Sequence, residues 1–316
     1  MGFQGTALTF VNRPGRSSPG CAGFGPMWEA GSETEEAAWK FLSASGPSLN
    51  HLQVGMSRIP SAHIASLYRY PVKGLTAEPL LSVALRPNQT FPADRRYAIE
   101  NGPSGFDPAA PAWQSKSHYL MLMRNERLAE LQARYEDESD LLTIRWHGQP
   151  AVRGHLGTPE GRAAIEAFFA TNFLGELKGP PRVLSANGHS FSDVAKKVVS
   201  IINLGTVGAI ENLVGLPVHP LRFRANAYVS GWPSWQEFEL LGQTLAIGEA
   251  QLKVVKRITR CAAVNVDPES AARDLDLLSD MTRRLGHADL GVYAEVIAGG
   301  TISVGDAIEI EQPLLV

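Results

Sequence analysis

From residue 64 to residue 310 the chain consists largely of short β-branched, aliphatic and aromatic runs set close together, and this spacing limits its possible folds more than any other feature. Such runs stand at 64–68, 80–85, 141–146, 198–204, 245–248, 252–258, 291–296 and 304–310. Many short strands with few helices between them read as barrels. Four helices are still expected. Thr158-Pro159-Glu160 opens one with a capping hydroxyl, a first-turn Pro and an acid; Ile165, Phe168 and Phe169 form its apolar face, and Gly175 is its stop. Residues 126–135 suggest a second, with Leu128 and Leu131 three apart. A third follows Thr206 as cap and ends at Gly215, and a fourth carries Leu275, Leu278, Met281 and Leu285. The expected class is mainly β with some α.

Residues 1–61 differ in kind. Pro14 to Gly20 is a loop composition, and the one helical signal is a capping box at Ser32 and Glu35. This stretch is expected to be a disordered or accessory extension. A net charge of −3 removes any whole-protein case for nucleic acid or an anionic membrane surface, so an anion site must be a local cluster. The two cysteines, Cys21 and Cys261, make neither a disulfide framework nor a multi-cysteine metal site. A reducing, cytoplasmic location is therefore expected. No apolar run approaches the roughly 20 residues that span a bilayer, so no membrane span is expected.

The chemistry is expected in residues 252–268, LKVVKRITRCAAVNVDP. Leu252, Val254 and Val255 start it as a strand. Asp267-Pro268 is a helix-start signal, so Cys261 falls in a junction between strand and helix. Arg260, with Arg257 and Lys256 nearby, favours the thiolate, the form that attacks electrophiles and binds metals. A buried cysteine acting as a small hydrophobe is the other reading, and position alone leaves both open. Lys256 and Arg257 read as solvated strand residues.

Arg260-Cys261-Ala262-Ala263 followed by Asp267-Pro268 resembles the signature of the MOSC domain, named after the molybdenum cofactor sulfurase C-terminus. Three further stretches carry the resemblance. Tyr70-Pro71-Val72-Lys73-Gly74 is similar to the family's Tyr-Pro-x-Lys-Ser turn, with Gly74 in place of Ser. Asp94-Arg95 is similar to its Asp-Arg pair, and Phe223-Arg224-Ala225-Asn226 to its Phe-Arg-Pro-Asn, with Ala225 in place of Pro. The likeness is to the mitochondrial amidoxime-reducing proteins and their bacterial relatives. It implies a MOSC N-terminal β-barrel-like domain over 62–185 and a MOSC β-barrel domain over 186–311. It further implies molybdenum cofactor (Mo-molybdopterin), a pterin carrying a dithiolene and a phosphate, with Cys261 as metal ligand and catalytic residue. Cofactor-binding residues would be Lys73, Arg95, Thr206, Arg224, Asn226, Ser230, Arg260 and Asn265, with Asp94 and Glu237 orienting the arginines. The family is also described as binding pyridoxal phosphate.

The implied activity is that of a molybdenum-dependent oxidoreductase reducing small N-oxygenated (N-hydroxylated) substrates by two electrons. Two other readings stay open: a sulfur carrier with a persulfide on Cys261, and a non-catalytic cofactor-binding module. No cysteine follows Cys261, so the four-cysteine ferredoxin domain of some bacterial relatives is not expected. Nor is there a Gly-rich dinucleotide motif. Electrons are therefore expected from a separate electron-transfer protein.

Overall fold

Alternation and its interruptions set the strands. The structure, a computed structural model, describes residues 62–311. Strand β1 (His63–Arg69) buries both Ile64 and Leu67, because a bulge between 64 and 66 shifts its register. Next come β2 (Glu78–Leu80), β3 (Ser82–Leu85) and β4 (Ala98–Asn101), then the meander β5 (Leu131–Glu136), β6 (Leu141–Trp146) and β7 (Gln149–His155). Helix α1 (Pro159–Asn172) leads to β8 (Pro181–Leu184), and β9 (Val199–Asn203) runs straight into α2 (Leu204–Val214). The chain finishes with β10 (Ala227–Ser230), β11 (Thr244–Ile247), β12 (Ala250–Thr259), α3 (Leu277–Leu285), β13 (Asp289–Ala298), β14 (Gly300–Ser303) and β15 (Ile308–Glu311).

Eight strands form one sheet in the order β15-β11-β12-β13-β9-β10-β1-β2, antiparallel except for the β9–β10 pair. It curls into a half-barrel, so the protein is mainly β with some α. Val199, Ile201, Val229, Leu252, Val254, Val292 and Val296 fill its concave core. A second core lies between the β5–β7 meander and α1, where Leu142, Ile144, Ile165 and Phe169 meet. A third packs α2 and α3 through Val207, Ile210, Leu277 and Met281. The two halves of the chain are interleaved: β1 and β2 extend the sheet built by β9 to β15, and β14 pairs with β3. All described residues fall within one compact unit.

Several local expectations are met. Thr158 Oγ1 accepts the Gly161 amide at 3.1 Å, and Gly215 closes α2 in the left-handed conformation at φ +74°. Others need correction. Residues 126–135 are one tight turn, Glu126–Glu130, followed by β5, because Leu131 and Tyr135 alternate into the core opposite β6. Asn203 caps α2, not Thr206. Asp267 caps a turn rather than a helix: its Oδ1 accepts the amides of Glu269 and Ser270, and α3 begins only after Asp276. The helix expected near Ser32, and Cys21, lie outside the described residues.

Candidate functional site

Separate stretches of chain meet at a cavity of about 270 Å³. The turn after β1 supplies Lys73 and Gly74, the turn before β4 Asp94 and Arg95, the approach to β10 Arg224 and Asn226, and the exit of β12 Arg260 and Cys261. Strand β12 reaches the cavity through irregularities at Val254/Lys256 and Arg257/Thr259, the kind of bulge that re-aims side chains. Arg260 then donates from Nε to Leu290 O and from Nη1 to Phe223 O, both at 2.8 Å. This arrangement needs Gly291, whose φ is +76°. A Cβ there would lie 2.5 Å from Ile201 O and 3.2 Å from Arg260 Nη2. Gly291→Ala is expected to lower stability by about 1–3 kcal/mol through overpacking and to loosen Arg260. A denaturant midpoint equal to that of the parent protein would show that this approach is not tight.

Arg95 and Arg224 are held in the left-handed region, at φ +49° and +50°. Such backbone costs on the order of 1 kcal/mol or more at each non-Gly residue and concentrates at functional sites. Both guanidiniums lie over the Tyr70 ring, 4.2 and 4.3 Å from its centroid. Arg95 Nη1 bonds both Asp94 oxygens, at 2.7 and 2.6 Å, and its Nη2 donates to Arg224 O at 2.9 Å. Arg224 spends only Nη2, on Leu75 O at 2.7 Å, so among the described residues its Nε and Nη1 have no partner. The departure at Ala225 has a physical use here. Its amide donates to Tyr228 Oη at 3.1 Å, a bond that Pro could not make. Burial pushes the Arg224 and Arg260 guanidiniums down, while for Arg95 the opposing pull of Asp94 outweighs burial. Arginine stays cationic throughout.

Cys261 faces a second charged group. Lys116 Nζ lies 3.2 Å from its Sγ and 3.3 Å from Asp193 Oδ2. Lys73 Nζ contacts Asp193 Oδ1 at 2.5 Å and donates to Phe191 O at 2.8 Å. Burial lowers the Lys73 ammonium below the ordinary lysine value despite Asp193. For Lys116, burial is outweighed by Asp193 and Cys261, which hold it above. Burial would raise the Asp193 carboxyl, but Lys73 and Lys116 prevail and hold it well below the usual range. A depressed folded value contributes stability above the ordinary Asp value of 3.8 that is lost as pH falls through the folded value. Asp193→Asn is therefore expected to be less stable than the parent at neutral pH, with the gap closing in acid. Thermal midpoints at stepped pH test this, and a constant gap would contradict it. Among the described residues, no group of three or more His, Cys, Asp or Glu is placed to hold a metal ion.

Of the residues singled out in the sequence, Lys73, Arg95, Arg224, Asn226, Arg260 and Cys261 line the cavity. The structure places Thr206, Ser230 and Asn265 outside its lining, and each already has a structural use. Thr206 Oγ1 donates to Glu237 Oε2 and accepts the Trp235 amide, both at 2.8 Å. Ser230 ends β10 opposite His63. Asn265 bonds Asp276 and the Leu278 amide. Glu237 does not orient an arginine: it is fully buried against Asn203 and Thr206, and burial pushes its carboxyl up. Lys256 is exposed, as expected, although it also lines the cavity; Arg257, expected to be solvated, is half-buried in the lining and lies 4.2 Å over the Phe238 ring. Sequence reasoning missed Lys116, Asp193, Tyr70 and the apolar wall Met121, Leu122 and Met123. Lys116 is 145 positions from Cys261, and no spacing rule links them.

The fold and cavity define a mainly β protein, its largest sheet curled into a half-barrel, with a cationic pocket beside a thiol. The MOSC N-terminal beta barrel domain matches residues 61–177 and the MOSC domain residues 182–309. The chain belongs to the MOSC family. No curated protein matches it. Among solved structures it is similar to the YuaD protein of Bacillus subtilis, at 14% identity and a TM-score of 0.39, over 79% of this chain and 95% of that one. It is also similar to YiiM of Geobacillus stearothermophilus, at 19% identity and 0.30, over 36% of this chain and 54% of that one. YiiM of Escherichia coli gives 20% and 0.26, over 37% and 55%. The chain thus spans about half the length of either YiiM. Likenesses this distant decide nothing about activity.

Proposed function

We propose that the protein binds molybdenum cofactor in this cavity and reduces small N-oxygenated substrates with it. The observation that carries the reading is the meeting of one soft ligand and two guanidiniums in a single cavity, Cys261 with Arg95 and with Arg224, whose Nε and Nη1 are unspent. The residues present fit the group. A thiolate suits a soft metal, and one protein ligand suffices where the remaining ligands arrive with the cofactor's dithiolene. The free Nε and Nη1 of Arg224 leave cationic N–H donors available to phosphate oxygens, and Arg95 stands beside it. Tyr70 and Asp94 hold both guanidiniums in place before anything binds, which reduces the ordering cost of binding.

Bound there, the cofactor supplies two-electron chemistry, while the protein supplies orientation and electrostatics. The balance for a hydroxylamine is R–NH–OH with two electrons and two protons, giving R–NH2 and water. The electrons come from a separate electron-transfer protein in a reducing, cytoplasmic setting. Cys261 anchors the metal, Arg224 and Arg95 hold the phosphate, and Lys116 fixes the sulfur's position from the opposite half of the chain. Asn226 lines the cavity beside Ser200, and its Oδ1 accepts from the Ser200 hydroxyl at 2.8 Å, keeping Ser200 at the wall.

Protein made in a cofactor-producing host should contain molybdenum and fluorescent pterin. It should reduce an amidoxime or hydroxylamine with a reduced viologen dye, and not with NADH alone. Bound molybdenum without turnover by any reduced dye would favour a non-catalytic module. A second reading rests on Lys116, since an ammonium 3.2 Å from Sγ also suits an anionic persulfide. In that case the protein lacks molybdenum and releases sulfide from Cys261 on reduction.

A further inference from the structure

The cysteine turn is fastened to the apolar wall of the cavity by one side chain that lies outside the lining. Arg273 Nη1 donates to Ala262 O at 3.1 Å, one residue after Cys261. Its Nη2 reaches Leu122 O at 3.0 Å, Met123 O at 2.9 Å and Glu126 Oε2 at 3.2 Å. One guanidinium therefore ties residues 122–126, from the first half of the chain, to the turn that carries the sulfur. The planar fork spreads several donors over both segments at fixed angles, which the single nitrogen of a lysine would not reproduce.

What this clasp holds is an apolar stretch of the cavity wall, joined to the turn that carries the sulfur. Met121 is buried, Leu122 and Met123 are half-buried, and with Ala263 and Val264 they line the same cavity as Cys261. The charged side chain in contact with Sγ is Lys116. An apolar wall and an ammonium in the same cavity match an amphipathic ligand, with its oxygen near the ammonium and its carbon body along the wall.

We infer that Arg273 is a specificity-determining positioning residue: it sets the gap between the Met121–Leu122–Met123 wall and Cys261, and so admits slender apolar bodies and excludes bulky ones. The substrate's identity as an N-oxygenated compound rests on the cofactor reading above. The gap itself does not, because it is a property of the chain's own contacts.

The test uses metal-free full-length protein carrying Cys21→Ser, so that Cys261 is its one thiol. Alkylation rates are measured with N-ethylmaleimide and with N-(1-pyrenyl)maleimide, which share an electrophile and differ in bulk. Arg273→Ala should raise the pyrenyl-to-ethyl rate ratio several-fold, with the ethyl rate little changed. Glu126→Gln, which leaves the three carbonyl contacts in place, should keep the parent ratio. Should Arg273→Ala fail to fold, Arg273→Lys, which keeps the charge but not the fork that joins the two segments, should raise the ratio in the same way. An unchanged or lower ratio in a folded variant overturns the inference. In loaded enzyme the same Arg273 variant should gain kcat/KM for bulky substrates relative to slender ones. A shifted maleimide ratio in a protein that never binds molybdenum would refute the reductase and leave the clasp standing; a flat ratio in an active reductase would do the reverse.

Discussion

Cys261→Ser is expected to keep the fold and to lose the metal. Sγ is half-buried and its hydrogen-bond contact is with Lys116, which retains Asp193 as a partner after the exchange. A serine hydroxyl fits the same space and accepts the same bond, so the melting temperature should stay close to the parent's. As a ligand the two differ in kind: a hard, neutral hydroxyl replaces a soft thiolate. Loss of an outer-shell partner typically costs about 10–100-fold in metal affinity, and loss of the ligand itself should exceed that. Molybdenum content and dye-driven turnover should fall together, and a variant that retains both would remove Cys261 from the site. Cys21→Ser, outside the described residues, should change neither.

The barrel could be read from residues because its evidence is local. Short alternating runs such as 64–68 and 252–258 became β1 and β12, and Gly215 ended α2 where a left-handed cap was needed. Local signals also explain the errors. Leu128 and Leu131 fit one helix face, yet Leu131, Ala133 and Tyr135 also fit a strand, and pairing with β6 decided between them. Thr206 looked like a cap, but a buried carboxylate, Glu237, claimed its hydroxyl from 31 positions away. The cavity was legible only where family motifs carried it, at Lys73, Arg95, Arg224, Asn226, Arg260 and Cys261. Lys116 and Arg273 act across separations of 145 and about 150 positions, which only the folded chain brings together. Gly74 shows the same limit from the other side. At φ +86°, with a Cβ that would sit 3.0 Å from Leu120 O, the backbone here favours Gly over the family's Ser.

The two arginines on Tyr70 should fail differently when removed, although both were expected to hold phosphate. Arg224 has one main-chain partner and two free donor nitrogens. Arg224→Ala therefore removes a ligand donor and little that the fold depends on. A charge-assisted bond contributes about 1.5–3 kcal/mol, so cofactor retention should drop roughly tenfold or more while the melting temperature moves little. Arg95 is bound on both sides, to the Asp94 carboxylate and to Arg224 O. The Asp94 side chain is only 4% exposed and also accepts the Tyr70 amide at 2.8 Å. Removing Arg95 leaves that carboxylate buried without its counterion, a change that costs about 3–5 kcal/mol. It also frees the Tyr70 ring and the Arg224 backbone, so the second arginine loses its placement as well. Arg95→Ala should thus lose stability and cofactor together, and pairing it with Asp94→Asn should restore part of the stability but not the cofactor. Equal melting temperatures for the Arg95 and Arg224 variants would contradict this division of roles.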